Sequence, residues 1–384
     1  AYYEDSATLR VSSQLEYSRI LDSGSELVIR NSFSRFNREL LVPDFEFSGT
    51  QLSSFSEAHL LGGSMSMDWV VGMNLWTEDF DQDSGFSAMQ IDYDQQTFGV
   101  FAQGTKSLSG TWSLEAGLRV DSDSDYGEFF LPRLSLLYTG FEDTSIRLGG
   151  GLGYKLPTPF SEEAERIQFQ NLLPLQIEDL EVESSAGINA DINRSWQLNN
   201  LLSLDLNLLL FYTEVDDPLM LVPQVDQAYS YQQPLPSIDS RGTEINAVWR
   251  WNDYKFFLGY THADVQENWR DETLDAALIP EDRVNMVFVY EREDDIRVGL
   301  EAYYYSQQTL ESGARSPDYW IFGLMMEKVF SDDFSLFLNF ENFGDTRQTH
   351  DGPIYTGSLS NPEFVDIYAP LDGFVINGGV KLSF

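Results

Sequence analysis

The 384-residue sequence carries 62 Asp and Glu against 23 Lys and Arg, a formal charge of −39, and it has no cysteine. That charge repels phosphate backbones and excludes nucleic acid as a partner, while the missing cysteines exclude disulfides, thiol nucleophiles and Cys-ligated metals. Aromatic residues make up 14%, with 27 Phe and 19 Tyr, a load that suits strands and membrane-interface girdles.

Apolar and polar residues alternate at period two from end to end, the mark of strands with one apolar face. In chain order this predicts seventeen strands, at 7–20, 25–38, 53–66, 69–80, 92–106, 111–122, 128–139, 144–156, 179–193, 200–214, 239–251, 254–266, 281–292, 295–308, 318–330, 333–346 and 371–384. Each runs about 12 to 15 residues, against about 5 to 6 for an ordinary soluble strand. Long tilted strands are what a bilayer crossing demands, and no uncharged apolar run is long enough for a membrane helix. The fold expected is therefore an all-β, antiparallel transmembrane barrel.

The connections alternate in length. Short ones fall at "DSGS", "SLSG", "FEDT", "WND", "EDD" and "SDD"; long ones at 39–52, 81–91, 157–178, 215–238, 267–280, 309–317 and 347–370. Only 123–127 takes a long position with a short length. Bacterial outer-membrane barrels put short turns on the periplasmic side and long loops outside, an asymmetry a soluble barrel has no reason to show.

The faces agree. Ile146, Leu148 and Leu152 share one side of their strand, opposite Ser145, Arg147, Gly149 and Gly151. Phe334, Leu336, Leu338 and Phe340 do likewise, opposite Ser335, Asn339 and Glu341. Charges in mid-strand imply a wet or plugged lumen, because a dry core would not tolerate them unpaired. The ending "FVINGGVKLSF" keeps the alternation to Phe384, expected at the periplasmic rim. Single-chain bacterial barrels have even strand numbers. An odd count predicts that these residues are part of a larger barrel, with further strands and a missing N-terminal segment.

At this point the order of segments resembles the C-terminal barrel portion of TonB-dependent outer-membrane receptors. The likeness is carried by "FFLPRLSLLYTGFEDTSIRLGGGLGYKLPTPFSEE", by "LEVESSAGINADI" with "LSLDLNLLLFYTEVDDPL", and by "SRGTEINAVWRWNDYKFFLGYTHAD". "FSLFLNFENFGDTRQ" is similar to the penultimate strand of that family and "PLDGFVINGGVKLSF" to its closing strand. "EEAERIQFQNLLPL" and "YTGSLSNPEFVDIYAPLDG" resemble an iron-chelate subgroup. The resemblance covers essentially the whole chain.

It implies a 22-stranded barrel in the bacterial outer membrane, filled by a plug domain and coupled to a TonB-type partner. The small-molecule ligand would be a ferric siderophore or similar metal chelate. No plug and no TonB-contacting segment is seen in the sequence. A passive pore or structural barrel without energy coupling is the alternative.

The site candidates are modest. Asp121, Asp123 and Asp125 in "DSDSDYGE" have the alternate oxygen spacing of a calcium loop, but Gly127 comes one place late and Pro132 stands where a Glu belongs. A solvated acidic loop is the simpler reading. His59, His262 and His350 lie too far apart to suggest a metal or haem site. No nucleophile elbow, phosphate loop or zinc motif is present, so neither an enzyme nor a cofactor is expected. For ligand contact the long loops offer Tyr229, Tyr231, Trp269, Arg270, Arg315, His350 and Tyr355, each equally readable as loop packing or surface charge.

Overall fold

The protein, seen in a computed structural model whose described residues are 2–83, 90–225, 228–358 and 361–382, consists almost wholly of antiparallel strands. The first ten are β1 (Asp5–Ile20), β2 (Glu26–Val42), β3 (Phe45–Ser64), β4 (Met67–Gln82), β5 (Tyr93–Ser107), β6 (Trp112–Asp123), β7 (Gly127–Phe141), β8 (Thr144–Lys155), β9 (Glu183–Gln197) and β10 (Leu202–Asp216). A small hairpin follows, β11 (Met220–Pro223) with β12 (Tyr229–Gln232). Next come β13 (Ser237–Trp251), β14 (Tyr254–Asn268), the short β15 (Thr273–Asp275), β16 (Asp282–Arg292), β17 (Ile296–Tyr305), β18 (Tyr319–Ser331) and β19 (Phe334–Glu341). A second small hairpin, β20 (Tyr355–Ser358) with β21 (Asn361–Phe364), precedes β22 (Val375–Leu382).

Seventeen long strands pair in sequence order and, with β15, make one 18-stranded sheet, the wall expected from alternation. Among the described residues β1 forms a ladder only with β2, and β22 only with β19. Both are sheet edges. No described helix is long and apolar enough to cross a membrane.

Register fixes the two faces. Leu336 lies opposite Val380 and Phe334 opposite Leu382, while Leu148 lies opposite Leu136. These outward residues are left bare, with Leu336, Ile376 and Leu382 at 39%, 56% and 64% exposure, as a lipid-facing wall requires. Aromatic pairs mark both interfaces: Trp112 with Tyr138 and Trp251 with Tyr254 toward the short turns, Tyr304 with Trp320 toward the long loops.

The inward face is polar and internally paired. Arg30 holds Glu16 at 2.7 Å, Arg250 holds Asp205, and Arg297 reaches both Glu291 and Glu327. The Asn207 amide donates to Asn193 at 2.8 Å and Asn339 to Asn377 at 3.1 Å. These pairs are about half exposed, so the inward face is a wet, charged surface on which each pair is worth little by itself.

Short turns (21–25, 65–66, 108–111, 142–143, 198–201, 252–253, 293–295 and 332–333) gather at one end. At the other lie 83–92, 156–182, 217–236, 269–281, 306–318 and 342–374. One expectation is corrected. Residues 39–52 are not a long loop: β2 and β3 run on to a tight turn at Pro43 and Asp44, with Asp44 left-handed at φ 63°. The strands continue because Leu40 and Phe47, directly opposite each other, find an apolar partner above the membrane level. The expected turn at 123–127 is present, as residues 124–126. Phe384, expected at the periplasmic rim, lies outside the described residues.

Candidate functional site at the loop-bearing mouth

The main apolar core of the molecule is at this mouth, not within the wall. Leu40, Phe47, Phe80 and Ile91 from the tops of β2–β5 pack against Ala164, Phe169, Leu172 and Leu180 of the 156–182 connection, together with Tyr231. This connection therefore crosses to strands far from its own and forms a lid.

The lid is built around a one-turn helix, α1 (Glu162–Arg166). Ser161 caps it, its Oγ accepting the Ala164 N–H at 3.2 Å, which satisfies one of the free donors at a helix start. Three acids, Glu162, Glu163 and Glu165, fall in the first turn, where the helix dipole favours them. The chain then turns sharply. Gln168, Phe169 and Asn171 all have left-handed backbone, at φ 58°, 58° and 55°. Non-glycine residues adopt that region at a cost of order 1–3 kcal/mol each and persist only where surrounding contacts compel it.

The compelling contact is Phe169. Its ring stacks on Phe47 at 4.4 Å, meets Phe160 edge-on at 5.8 Å, and has the Arg38 guanidinium 5.5 Å from its centroid. Arg38 also grips Glu165 with both terminal nitrogens, one contact measuring 2.7 Å. Arg166 bonds Glu311 at 2.6 Å, and Gln168 reaches Glu4 at 2.7 Å and the Tyr2 hydroxyl. The lid thus touches three other parts of the rim.

A second brace organises 342–374. Gln348, 3% exposed, donates to the Asp366 carbonyl at 2.7 Å and accepts the N–H groups of Tyr368 and Ala369. Gln308, equally buried, donates to the Tyr368 carbonyl at 3.0 Å. Beside them lies a cleft of about 540 Å³, lined by Glu311, Ser312, Gln348, Asp351, Asp366 and Tyr368 among others. At the base of this connection the Asp345 carboxyl is held below its usual range, first by the Phe374 N–H and then by Arg347.

The seven ligand-contact candidates spread over four of the long connections. Tyr229 and Tyr231 belong to the lid's packing. The Tyr231 hydroxyl donates to the Pro159 carbonyl at 2.9 Å, and burial pushes its phenol up to about 12. Tyr229 exchanges backbone bonds with Asn171 and Leu173. The half-buried Trp269 donates its indole N–H to Glu267 at 3.3 Å, and the adjacent Arg270 is exposed. Arg315 ties 306–318 to Asp275 at 3.1 Å and Glu281 at 3.6 Å. His350 contacts the Arg347 guanidinium at 3.0 Å, and Tyr355 lies opposite Phe364 in the small hairpin.

Asp121, Asp123 and Asp125 act as a turn brace. Asp121 accepts from Arg119 at 2.7 Å and from the Tyr154 hydroxyl at 2.8 Å. Asp123 accepts from Thr97 at 2.6 Å and from the N–H groups of Asp125 and Tyr126. Among the described residues no three His, Asp or Glu side chains are placed to hold an ion.

Sequence reasoning missed Arg38, Phe169, Gln308 and Gln348. For Arg38 a signal existed: it shares the inward parity of Arg30. Nothing in the sequence distinguishes the two glutamines from other loop amides.

A polar-lined transmembrane wall with a folded, loop-built mouth defines a receptor-type outer-membrane barrel. The chain belongs to the TonB-dependent receptor-like β-barrel family, whose model matches residues 2–343. That family consists of Gram-negative outer-membrane receptors, not enzymes.

Solved structures of similar fold include the ferric enterobactin receptor PfeA of Pseudomonas aeruginosa, at 14% identity and TM-score 0.73, covering 99% of this chain and 62% of that one. The siderophore receptor PirA of Acinetobacter baumannii is similar at 14% identity and TM-score 0.70, covering 99% of this chain and 63% of that one. The ferric-catecholate import receptor Fiu of E. coli is similar at 15% and 0.70, covering 100% and 65%. The chain thus spans less than two thirds of these relatives' length. No curated protein matches it by sequence.

Proposed function

We propose that this chain forms most of the wall and the outer mouth of an active importer in a bacterial outer membrane. The ligand is a scarce small molecule of the siderophore or metal-chelate class, and import is driven through a TonB-type partner. The observation that carries this reading is the lid. A passive pore gains nothing from folding a strained connection into its own entrance, whereas an importer needs a mouth that binds before it admits.

The inward rows of paired charges suit a lumen filled by a plug domain. Among the described residues β1 and β22 each have one free edge of backbone donors and acceptors that lipid cannot satisfy, which supports a larger barrel completed by further strands. Solved relatives named for ferric enterobactin and other siderophores support the ligand class.

Uptake of a radiolabelled ferric siderophore panel by cells with and without the full-length gene tests the proposal. Accumulation that needs this gene and collapses with a protonophore is expected. Energy-independent passage of uncharged sugars through the protein in liposomes would instead establish a pore.

A further inference from the structure

We infer that the lipid-facing side of β4–β6 carries a seat for one anionic phospholipid of the leaflet at the short-turn end, its acyl chain in a groove floored by Gly104 and its phosphate on Lys106. The groove, of about 400 Å³, is lined around that glycine by Met67, Trp69, Val71, Ala102, Ala116 and Leu118. Register explains its shape. Trp69 lies opposite Gly104 and Gly104 opposite Ala116, while Val71, Ala102 and Leu118 form the next row. The middle strand thus presents two small residues between the larger side chains of β4 and Leu118 of β6. The Trp69 indole is folded the other way, over Gly62 of β3, where a Cβ would strike the ring. Above Gly104 the space is open: a Cβ there meets only the flexible Met67 methyl at 3.0 Å and the Asp68 carbonyl at 3.7 Å.

Apolar burial cannot by itself hold a lipid chain, because the surrounding tails are as apolar as the wall. Shape and charge can. A chain against a smooth wall is touched from one side, whereas one laid in the groove gains dispersion contacts from the floor and both flanks. The charge is Lys106. It shares the outward parity of Gly104, faces Met67 across the ladder, is exposed, and has no ion pair or hydrogen bond among the described residues. Three other outward bases are engaged: Lys328 by Asp295, Arg241 by Asp264, and Arg194 by the Trp196 ring. Depth agrees. Lys106 stands two residues before the 108–111 turn and Ala102 six. At about 3.3 Å per residue and a tilt near 40°, the groove runs from about 5 to about 15 Å above that rim, one leaflet of a core about 30 Å thick. The flexible lysine stem reaches back to headgroup level. A second copy of the chain is the poorer occupant, since a symmetric contact across the groove would desolvate two unpaired lysines. At −39 the molecule repels anionic lipid elsewhere, so retention must be local to this residue. Nothing in the seat depends on what the barrel carries.

Native mass spectrometry of the purified full-length protein, titrated in detergent with phosphatidylglycerol or phosphatidylethanolamine, tests the seat. Wild type should hold one phosphatidylglycerol about fivefold more tightly than phosphatidylethanolamine, whose ammonium cancels its own phosphate; that is the weight of one basic residue at an anionic surface. Lys106→Gln should lose the preference and still hold a lipid. Gly104→Phe fills the groove and should weaken retention of either lipid by about tenfold. Leu300→Phe, on the lipid face of β17, should not. If Gly104→Phe does not insert, Ala116→Phe fills the same space from β6. Equal retention of the two lipids by wild type, a bound lipid unmoved by the groove-filling change, or a dimer mass that vanishes with that change, overturns the inference.

Discussion

Replacing Phe169 with alanine should undock the lid while leaving the wall intact. The ring is 4% exposed and stacks on Phe47, so truncation falls among fully buried aromatic losses of about 3–5 kcal/mol. The lid's other fully buried apolar side chains, Ala164, Leu172 and Leu180, are smaller and lose the Phe169 ring as a neighbour. Its ion pairs, Arg38–Glu165 and Arg166–Glu311, are partly exposed and contribute about 0–1 kcal/mol apiece. The left-handed backbone at Gln168, Phe169 and Asn171 persists in the variant and still favours opening. Amide hydrogen exchange on the protein in lipid nanodiscs measures the outcome. The amides of Ile167, Phe169 and Leu173, bonded to Glu163, Ala164 and Tyr229, should lose protection by about a hundredfold or more, at about 1.4 kcal/mol per tenfold. Amides of β6 and β7 serve as the control. Wild-type protection in the lid, or an equal loss in the wall, refutes the reasoning.

Leu336→Arg places a charge on the lipid face three residues above the 332–333 turn and should cost about 1–3 kcal/mol in folding titrations into vesicles, between the interface and midplane values. Gln348→Ala strands the Tyr368 and Ala369 N–H groups, each unsatisfied donor costing about 1–3 kcal/mol, and should expose 342–374 to limited proteolysis. The Asp345 carboxyl is depressed, so its contribution is present above its ordinary value of 3.8 and is lost as pH falls below that through the folded value. Protection of the Phe374 amide should therefore drop on acidification below pH 3.8, and Asp345→Asn should abolish that step.

The wall was legible because a bilayer imposes period two on every strand and length on every crossing. Leu336, Leu148 and Ile376 declared their face by parity alone. The misread segment, 39–52, shows the limit of the same rule. Alternation through Leu40, Val42, Phe45 and Phe47 continues up to the turn at Pro43 and Asp44, whereas the sequence reading ended the strands at 38 and 53. The mouth was far less legible. Tyr231 was singled out by residue type, as a ligand contact or as loop packing, and the structure shows its hydroxyl bonded to Pro159 and Ser161. What fixes its role is contact between segments distant in sequence, and local pattern carries no trace of such partners.

That separation has a consequence for how the molecule is made. Arg38 meets Glu165 across 127 positions and Tyr2 meets Gln168 across 166, whereas each wall hairpin joins neighbours in sequence. Local ladders form early, because closing a short loop sacrifices little chain entropy and distant contacts form only after it is lost. The wall must therefore zip first and the entrance be sealed last. A newly paired wall passes through an interval in which Arg38 and Phe47 have not yet met Glu165 and Phe169.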